Sequence, residues 1–244
     1  MTGNGKTPGE KGVLYVVSTP IGNLEDITLR ALRVLKEVDL VAAEDTRKTG
    51  ILLKYYQIKN KLTSYHDYNK EKKTPILIRE LTSGKDLAVV SDAGTPGISD
   101  PCYYLVREAI KQEIRIVPIP GSSALLSALV VSGLPTDRFV FEGFLPQKKS
   151  KRVKRLKELW SEKRTLIFFE SPHRLIQAIG DLKEIFGERR IVVARELTKK
   201  FEEITRGKIT EVLNYFETKK VKGEMVIVVQ GKVESKELRV KSEE

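Results

Sequence analysis

Short apolar blocks separated by polar loops run the length of the chain. Val13-Leu14-Tyr15-Val16-Val17 is an unbroken apolar run rich in β-branched residues, the pattern of a strand covered on both faces. A polar loop, 19–26, follows, and Thr28 stands where a helix cap is expected, ahead of Leu29, Leu32 and Leu35 at helical spacing. Leu40-Val41-Ala42-Ala43 predicts a second strand. Ile76, Leu77 and Leu81 predict a helix closed by Gly84, and Leu87-Ala88-Val89-Val90 a third strand. Ile114-Arg115-Ile116-Val117 predicts a fourth, running into Pro120-Gly121-Ser122-Ser123 and a helix over 124–131. Strand and helix alternate, so this half predicts an α/β domain on a largely parallel sheet. In the second half, 139–144, 165–169, 190–194 and 225–230 predict strands separated by one or two helices. The run Met225-Val226-Ile227-Val228-Val229 suits a central position. The expected organisation is two α/β domains, 13–119 and 120–232, with flexible tails at 1–12 and 233–244.

Charge adds a partner to this picture. The 244 residues carry 44 Lys+Arg against 33 Asp+Glu, a net charge of +11 that favours a polyanion. The excess is concentrated: over 147–164 nine Lys/Arg stand against two Glu, which accounts for seven of the eleven charges. Val153, Leu156 and Trp160 keep helical spacing there. They predict a helix that docks on one face while Lys148, Lys151, Arg155 and their neighbours Lys149 and Arg152 face outward to phosphates. No apolar run approaches the ~20 residues of a transmembrane helix, so no membrane association is expected. Residues 1–12 lack the apolar core of a secretory signal, and the chain reads as cytoplasmic. One cysteine, Cys102, excludes an internal disulfide and a Cys-rich zinc site. His66 and His173 stand far apart without Cys companions, so no metal is expected.

Three first-half strands end in loops rich in Gly, Pro, Ser, Thr and Asp: 19–26, 91–101 and 120–124. In open α/β sheets ligands bind outside the carboxyl ends of the strands, so these loops are expected to converge on one site. The middle one, with two Gly, two Pro and two Asp among residues 91–101, is longer than a simple turn requires. No strand is followed by a Gly-x-Gly-x-x-Gly fingerprint, and neither a Walker A sequence nor a nucleophile elbow occurs. A cofactor held without a triphosphate cradle fits better than ATP or NAD.

The opening Leu14-Tyr15-Val16-Val17-Ser18-Thr19-Pro20-Ile21-Gly22-Asn23-Leu24-Glu25-Asp26-Ile27-Thr28 resembles a known family motif. Ala43-Glu44-Asp45-Thr46-Arg47, Ser91-Asp92-Ala93-Gly94-Thr95-Pro96-Gly97-Ile98-Ser99-Asp100-Pro101 and Pro118-Ile119-Pro120-Gly121-Ser122-Ser123-Ala124 follow in order. Phe141-Glu142-Gly143-Phe144-Leu145-Pro146, Glu170-Ser171-Pro172-His173-Arg174 and Ala194-Arg195-Glu196-Leu197-Thr198-Lys199 complete the set. Together they resemble the ribosomal RNA small-subunit methyltransferase I family, within the tetrapyrrole methylase superfamily. The likeness spans about 13–231, and Cys102 departs from it where the family usually has glycine. The resemblance implies two α/β domains with the cofactor cleft between them, usually in a homodimer. It also implies 2′-O-methylation of a cytidine in 16S rRNA, in the decoding region of the small subunit, with S-adenosylmethionine as methyl donor. Carried over, the cofactor positions are Pro20, Asp92, Ala93, Gly94, Thr95, Ser122, Ser123 and Ala124, with Phe169 and Met225 as weaker candidates.

A ribose hydroxyl is a poor nucleophile, so a base or hydrogen-bond acceptor is expected beside it. Glu44, Asp45 and Glu196 are candidates, and Lys199 is one if desolvation lowers its pKa; none is singled out. The Glu44-Asp45-Thr46-Arg47 cluster also reads as a charged helix start with Asp45 or Thr46 as cap. Arg47, His173 and Arg174, with Lys199, are candidates for phosphate or base contact. Two other readings stay open: a tetrapyrrole or precorrin small-molecule methylase, and a non-catalytic rRNA-binding assembly module.

Overall fold

The computed structural model describes residues 10–233, so the tails expected at 1–12 and 233–244 lie almost wholly outside the described residues. The chain divides between Ala124 and Leu125 into two compact units, each built on its own five-stranded sheet. The division falls a few residues beyond 119/120 because the loop after the fourth long strand stays with the first unit. Gly121 packs so closely on Ser18 that an added Cβ would lie 2.8 Å from the Ser18 Cβ.

The first unit runs β1 (Val13–Val17), α1 (Leu29–Glu37), β2 (Leu40–Ala43), α2 (Thr46–Tyr55) and β3 (Leu62–Ser64). It continues through α3 (Lys70–Thr82), β4 (Leu87–Val90), α4 (Cys102–Lys111) and β5 (Arg115–Ile119). All strand pairs are parallel, in the order β3-β2-β4-β1-β5. Both faces of the sheet are covered, as the unbroken apolar runs require. Leu14, Leu87 and Val89 pack with Leu77, Leu81 and Leu105 on one side. Val17, Val41, Ala43 and Val90 pack with Ala31, Val34 and Leu35 on the other. Thr28 caps α1, its hydroxyl accepting from the Ala31 N–H at 3.1 Å. Because β1 leads to β2 on one side and β4 to β5 on the other, the adjacent β1 and β4 form a topological switch point.

The second unit runs α5 (Ala124–Ser132), β6 (Phe139–Phe144), α6 (Lys149–Glu158), β7 (Thr165–Glu170) and α7 (Leu175–Phe186). It closes with β8 (Arg190–Arg195), β9 (Glu203–Lys208), α8 (Ile209–Glu217) and β10 (Met225–Val229). Its sheet is mixed, in the order β6-β7-β10-β8-β9, and the fully buried β10 is central, as its composition predicts. Each gap between the expected strands holds one helix, and the last also holds β9. That strand is charged and partly exposed, an edge strand without an apolar run.

Helix α6 corrects one expectation. Its docked face is Arg152, Leu156 and the following Leu159, and Trp160 is 47% exposed. Arg152, expected to face RNA, is 3% exposed and donates to Asp181 at 2.6 Å and to the Pro146 and Gln147 carbonyls. A guanidinium takes this place because three acceptors converge there on a site its planar fork can fill.

Candidate functional site

The loops at the carboxyl ends of β1, β4 and β5 are joined by hydrogen bonds. Thr19 and Gly94 form a two-way backbone bridge, N–H to O at 2.9 and 3.0 Å. The Ser18 hydroxyl donates to Thr95 Oγ1 at 3.0 Å, and Thr95 Oγ1 donates to the Ser122 carbonyl at 3.2 Å. Ser122 Oγ in turn donates to the Asp26 carbonyl at 3.2 Å. Gly94 sits at φ +78°, a left-handed conformation that favours glycine, and lets the loop turn back beside Ile21. The loop's second half is fixed separately. Both Asp100 oxygens accept from the Gly97 N–H at 2.9 Å, and Oδ1 also accepts from the Cys102 N–H opening α4. Burial beside Asp100 pushes the Cys102 thiol up to about 12, so the residue acts as a small apolar filler. The structure thus brings Asp92, Ala93, Gly94, Thr95 and Ser122 to one edge, with Pro20 following the bridged Thr19, and Ser123 and Ala124 leading into α5.

An acidic cluster joins this edge from the end of β2. The Asp92 N–H donates to Glu44 Oε2 at 3.1 Å, and Lys48 Nζ lies 2.6 Å from Asp92 Oδ2. Asp92 Oδ1 is buried and has no hydrogen-bond partner among the described residues. Burial raises the Glu44 carboxyl above its ordinary value. The Asp92 N–H opposes the shift, while the Asp92 and Asp100 charges add to it. Asp45 behaves oppositely. It caps α2, accepting from the Arg47 N–H at 2.9 Å, and pairs with the Arg47 guanidinium at 2.7 Å. Those bonds to Arg47 hold the carboxyl far below the usual range while it caps α2. Ser18 and Lys48 were not among the expected site residues. Lys48 had a readable signal, because it lies in the first turn of the helix that the Asp45 cap opens.

The remaining candidates belong to the second unit. Lys199 Nζ contacts Glu196 Oε1 at 2.9 Å and Glu224 Oε2 at 3.2 Å. Burial lowers the Lys199 ammonium, but Glu196 and Glu224 outweigh it and lift the group above an ordinary lysine, so it is no neutral-pH base. Burial alone raises Glu196, whereas the Glu224 N–H and Lys199 bring it below the usual value. Arg174 is tied to buried Glu170 at 2.5 Å and to the Leu145 carbonyl at 3.1 Å, while His173 is exposed. Arg155 makes a bidentate pair with Glu142, both bonds 2.8 Å, and also meets Glu158. Lys148, Lys149 and Lys151 are exposed. Among the described residues no group of three or more His, Cys, Asp or Glu is placed to hold a metal ion.

Comparison with known proteins converges on one group. Residues 13–213 match the family model described as Tetrapyrrole (Corrin/Porphyrin) Methylases. The chain is 50% identical over 232 residues to the ribosomal RNA small subunit methyltransferase I of Halalkalibacterium halodurans, covering 94% of this chain and 80% of that protein. It is also 50% identical to the protein of the same name from Thermotoga maritima, covering 91% and 99%. Among solved structures, uroporphyrin-III-C-methyltransferase from Thermus thermophilus superposes with a TM-score of 0.64 at 20% identity. That match covers 90% of this chain and 94% of the other, a likeness of fold.

Proposed function

The chain belongs to the tetrapyrrole methylase family, and from that premise we propose that it methylates the 2′-oxygen of a cytidine ribose in 16S rRNA. It is a methyltransferase that uses S-adenosylmethionine and acts on ribosomal RNA, in keeping with relatives 50% identical over nearly its whole length. The observation that carries the site assignment is the buried, unpartnered Asp92 Oδ1, set among three strand-end loops that are bonded to one another. A buried acceptor without a donor is costly unless a ligand satisfies it. S-adenosylmethionine carries ammonium and ribose hydroxyl donors that suit such an acceptor, and when bound it supplies a methyl group activated on a sulfonium.

In this reading Asp92 accepts from the cofactor, and the backbone of Ala93, Gly94 and Thr95, with Pro20, shapes the wall beside it. Ser122, Ser123 and Ala124 stand where α5 opens, and the positive end of a helix dipole favours a carboxylate. Glu44 is assigned to accept the hydrogen of the attacking ribose hydroxyl. Its backbone is fixed to β4, the Glu44 N–H donating to the Val90 carbonyl at 3.3 Å, and its carboxylate is held by the Asp92 N–H. The main task of the protein is alignment of that oxygen with the methyl group. The reading also includes a homodimer in the cytoplasm. Among the described residues no helix is long and apolar enough to cross a membrane. The tetrapyrrole alternative rests on the description of the family model and on likeness of fold.

The test is methyl transfer from labelled S-adenosylmethionine to 16S rRNA, presented free and in small subunits, followed by mapping of ribose methylation. A single 2′-O-methylcytidine is expected. Transfer to a base, or to a tetrapyrrole in preference to RNA, would sink the assignment.

A further inference from the structure

The arginines and lysines of α6 do different work. Arg152 is buried against Asp181 of α7, and Arg155 is clamped to Glu142 of β6, so both bind the helix to its own unit. Arg164, just beyond, is paired with Glu162 at 2.7 Å. Lys148, Lys151, Lys154 and Lys157 differ from these three in having no carboxylate partner among the described residues. All four are exposed. Lys151, Lys154 and Lys157 recur every third residue of α6, which places them on one i+3 ridge inclined across the outward face of the helix, about 5–6 Å from one to the next, and Lys148 stands just before them as the N-cap. Glu158, the acid nearest the ridge, is occupied by Arg155 at 2.8 Å. The ridge begins at the N-terminus of α6, where the helix dipole adds positive potential.

We propose that this lysine ridge tracks the phosphodiester backbone of the RNA substrate, with Arg152 and Arg155 as the scaffold that presents it. The proposal rests on the rRNA reading above and deepens it. Charge complementarity selects the occupant: a line of evenly spaced, unneutralised cations matches a line of evenly spaced phosphates, and hydrated ammonium groups suit contact without base readout. A shallow groove of about 650 Å³ along the same face, lined by Ser150, Val153, Lys154, Lys157 and the Arg155-paired Glu158, gives the strand a bed.

The experiment compares RNA binding by the full chain, by a variant with Lys148, Lys151, Lys154 and Lys157 changed to Ala, and by a charge-matched control. The control carries Lys36→Ala, Lys54→Ala, Lys59→Ala and Lys61→Ala, all exposed positions of the first unit. The probe is a 16S rRNA transcript titrated over a range of salt. Loss of four phosphate contacts should flatten the slope of log K against log salt by about 3, at ~0.7 per contact on a single strand. With the same intercept at 1 M salt, affinity at 0.1 M falls on the order of several hundred-fold. Affinity for S-adenosylmethionine and the melting temperature should not change, and the control should keep its slope. An unchanged slope in the ridge variant overturns the proposal, as does an equal loss in the control, or tighter ridge-dependent binding to phosphatidylserine vesicles than to RNA. If the unaltered protein transfers no methyl group to 16S rRNA, the rRNA reading itself falls. If it does transfer while the ridge variant binds RNA normally, only the ridge falls.

Discussion

Glu44 and Asp45 are neighbours in sequence and opposites in chemistry. Asp45 spends both oxygens on the N-terminus of α2 and on Arg47, and its carboxyl stays ionised. Glu44 is half-buried among like charges, and burial first of all raises its carboxyl. A raised carboxyl is neutral at low pH and gains its base form as pH rises through the shifted value. The acid limb of the kcat profile should therefore lie above the ~4.3 of a free glutamate. Glu44→Gln should remove that limb and lower kcat by about 10²–10⁴-fold, the usual worth of a positioned base, with little change in cofactor affinity. A Gln variant that keeps both the rate and the limb would reassign the base. Asp45 as a helix cap was one reading of the sequence, but the pairing of Glu44 with the Asp92 N–H was not legible from residue types. Both stand at a strand end and both are carboxylates; only the fold shows which one meets Asp92. By contrast, the convergence of the loops after β1, β4 and β5 was legible, because Gly, Pro and Ser collect at strand ends for a geometric reason.

At the level of elements, α6 is the instructive case. Its charge run was plain in the sequence, yet the residues that dock it include an arginine, which apolar spacing cannot reveal. The pair of Arg152 and Asp181 is buried on both sides, 3% and 7% exposed, and its guanidinium is further satisfied by two carbonyls. Removing one partner strands a buried charge, so Asp181→Ala should destabilise the protein by about 3–5 kcal/mol in denaturant titration. The double change Arg152→Met with Asp181→Leu should cost much less, since the pair itself contributes little net stability. Equal losses in the two variants would show that the site tolerates no apolar substitute. The same logic explains which elements the hydrophobic pattern revealed. β1, β4 and β10 are buried on both faces and read as unbroken apolar runs. β9 has one neighbour and a charged composition, and three-residue β3 is too short to carry a period.

For the whole molecule, each unit has its own core. The first unit stacks its core on both faces of a parallel sheet and leaves the switch point of β1 and β4 as a rigid edge, while the second builds its own core around β10 and carries α6. If S-adenosylmethionine binds at that edge, its effect should appear as one cooperative unit, because the loops are hydrogen-bonded to one another. Hydrogen exchange should slow together over 18–21, 92–95 and 120–123, and at 100 times Kd the cofactor should add about 2.7 kcal/mol to stability. Gly121→Ala tests the coupling. Its new Cβ would lie 2.8 Å from the Ser18 Cβ, forcing apart the loops after β1 and β5. The variant should bind the cofactor more weakly and lose the shared protection, while exchange in β10 stays that of the unaltered protein. Protection that survives Gly121→Ala intact, or that never reaches 92–95, would mean that the cofactor is held elsewhere.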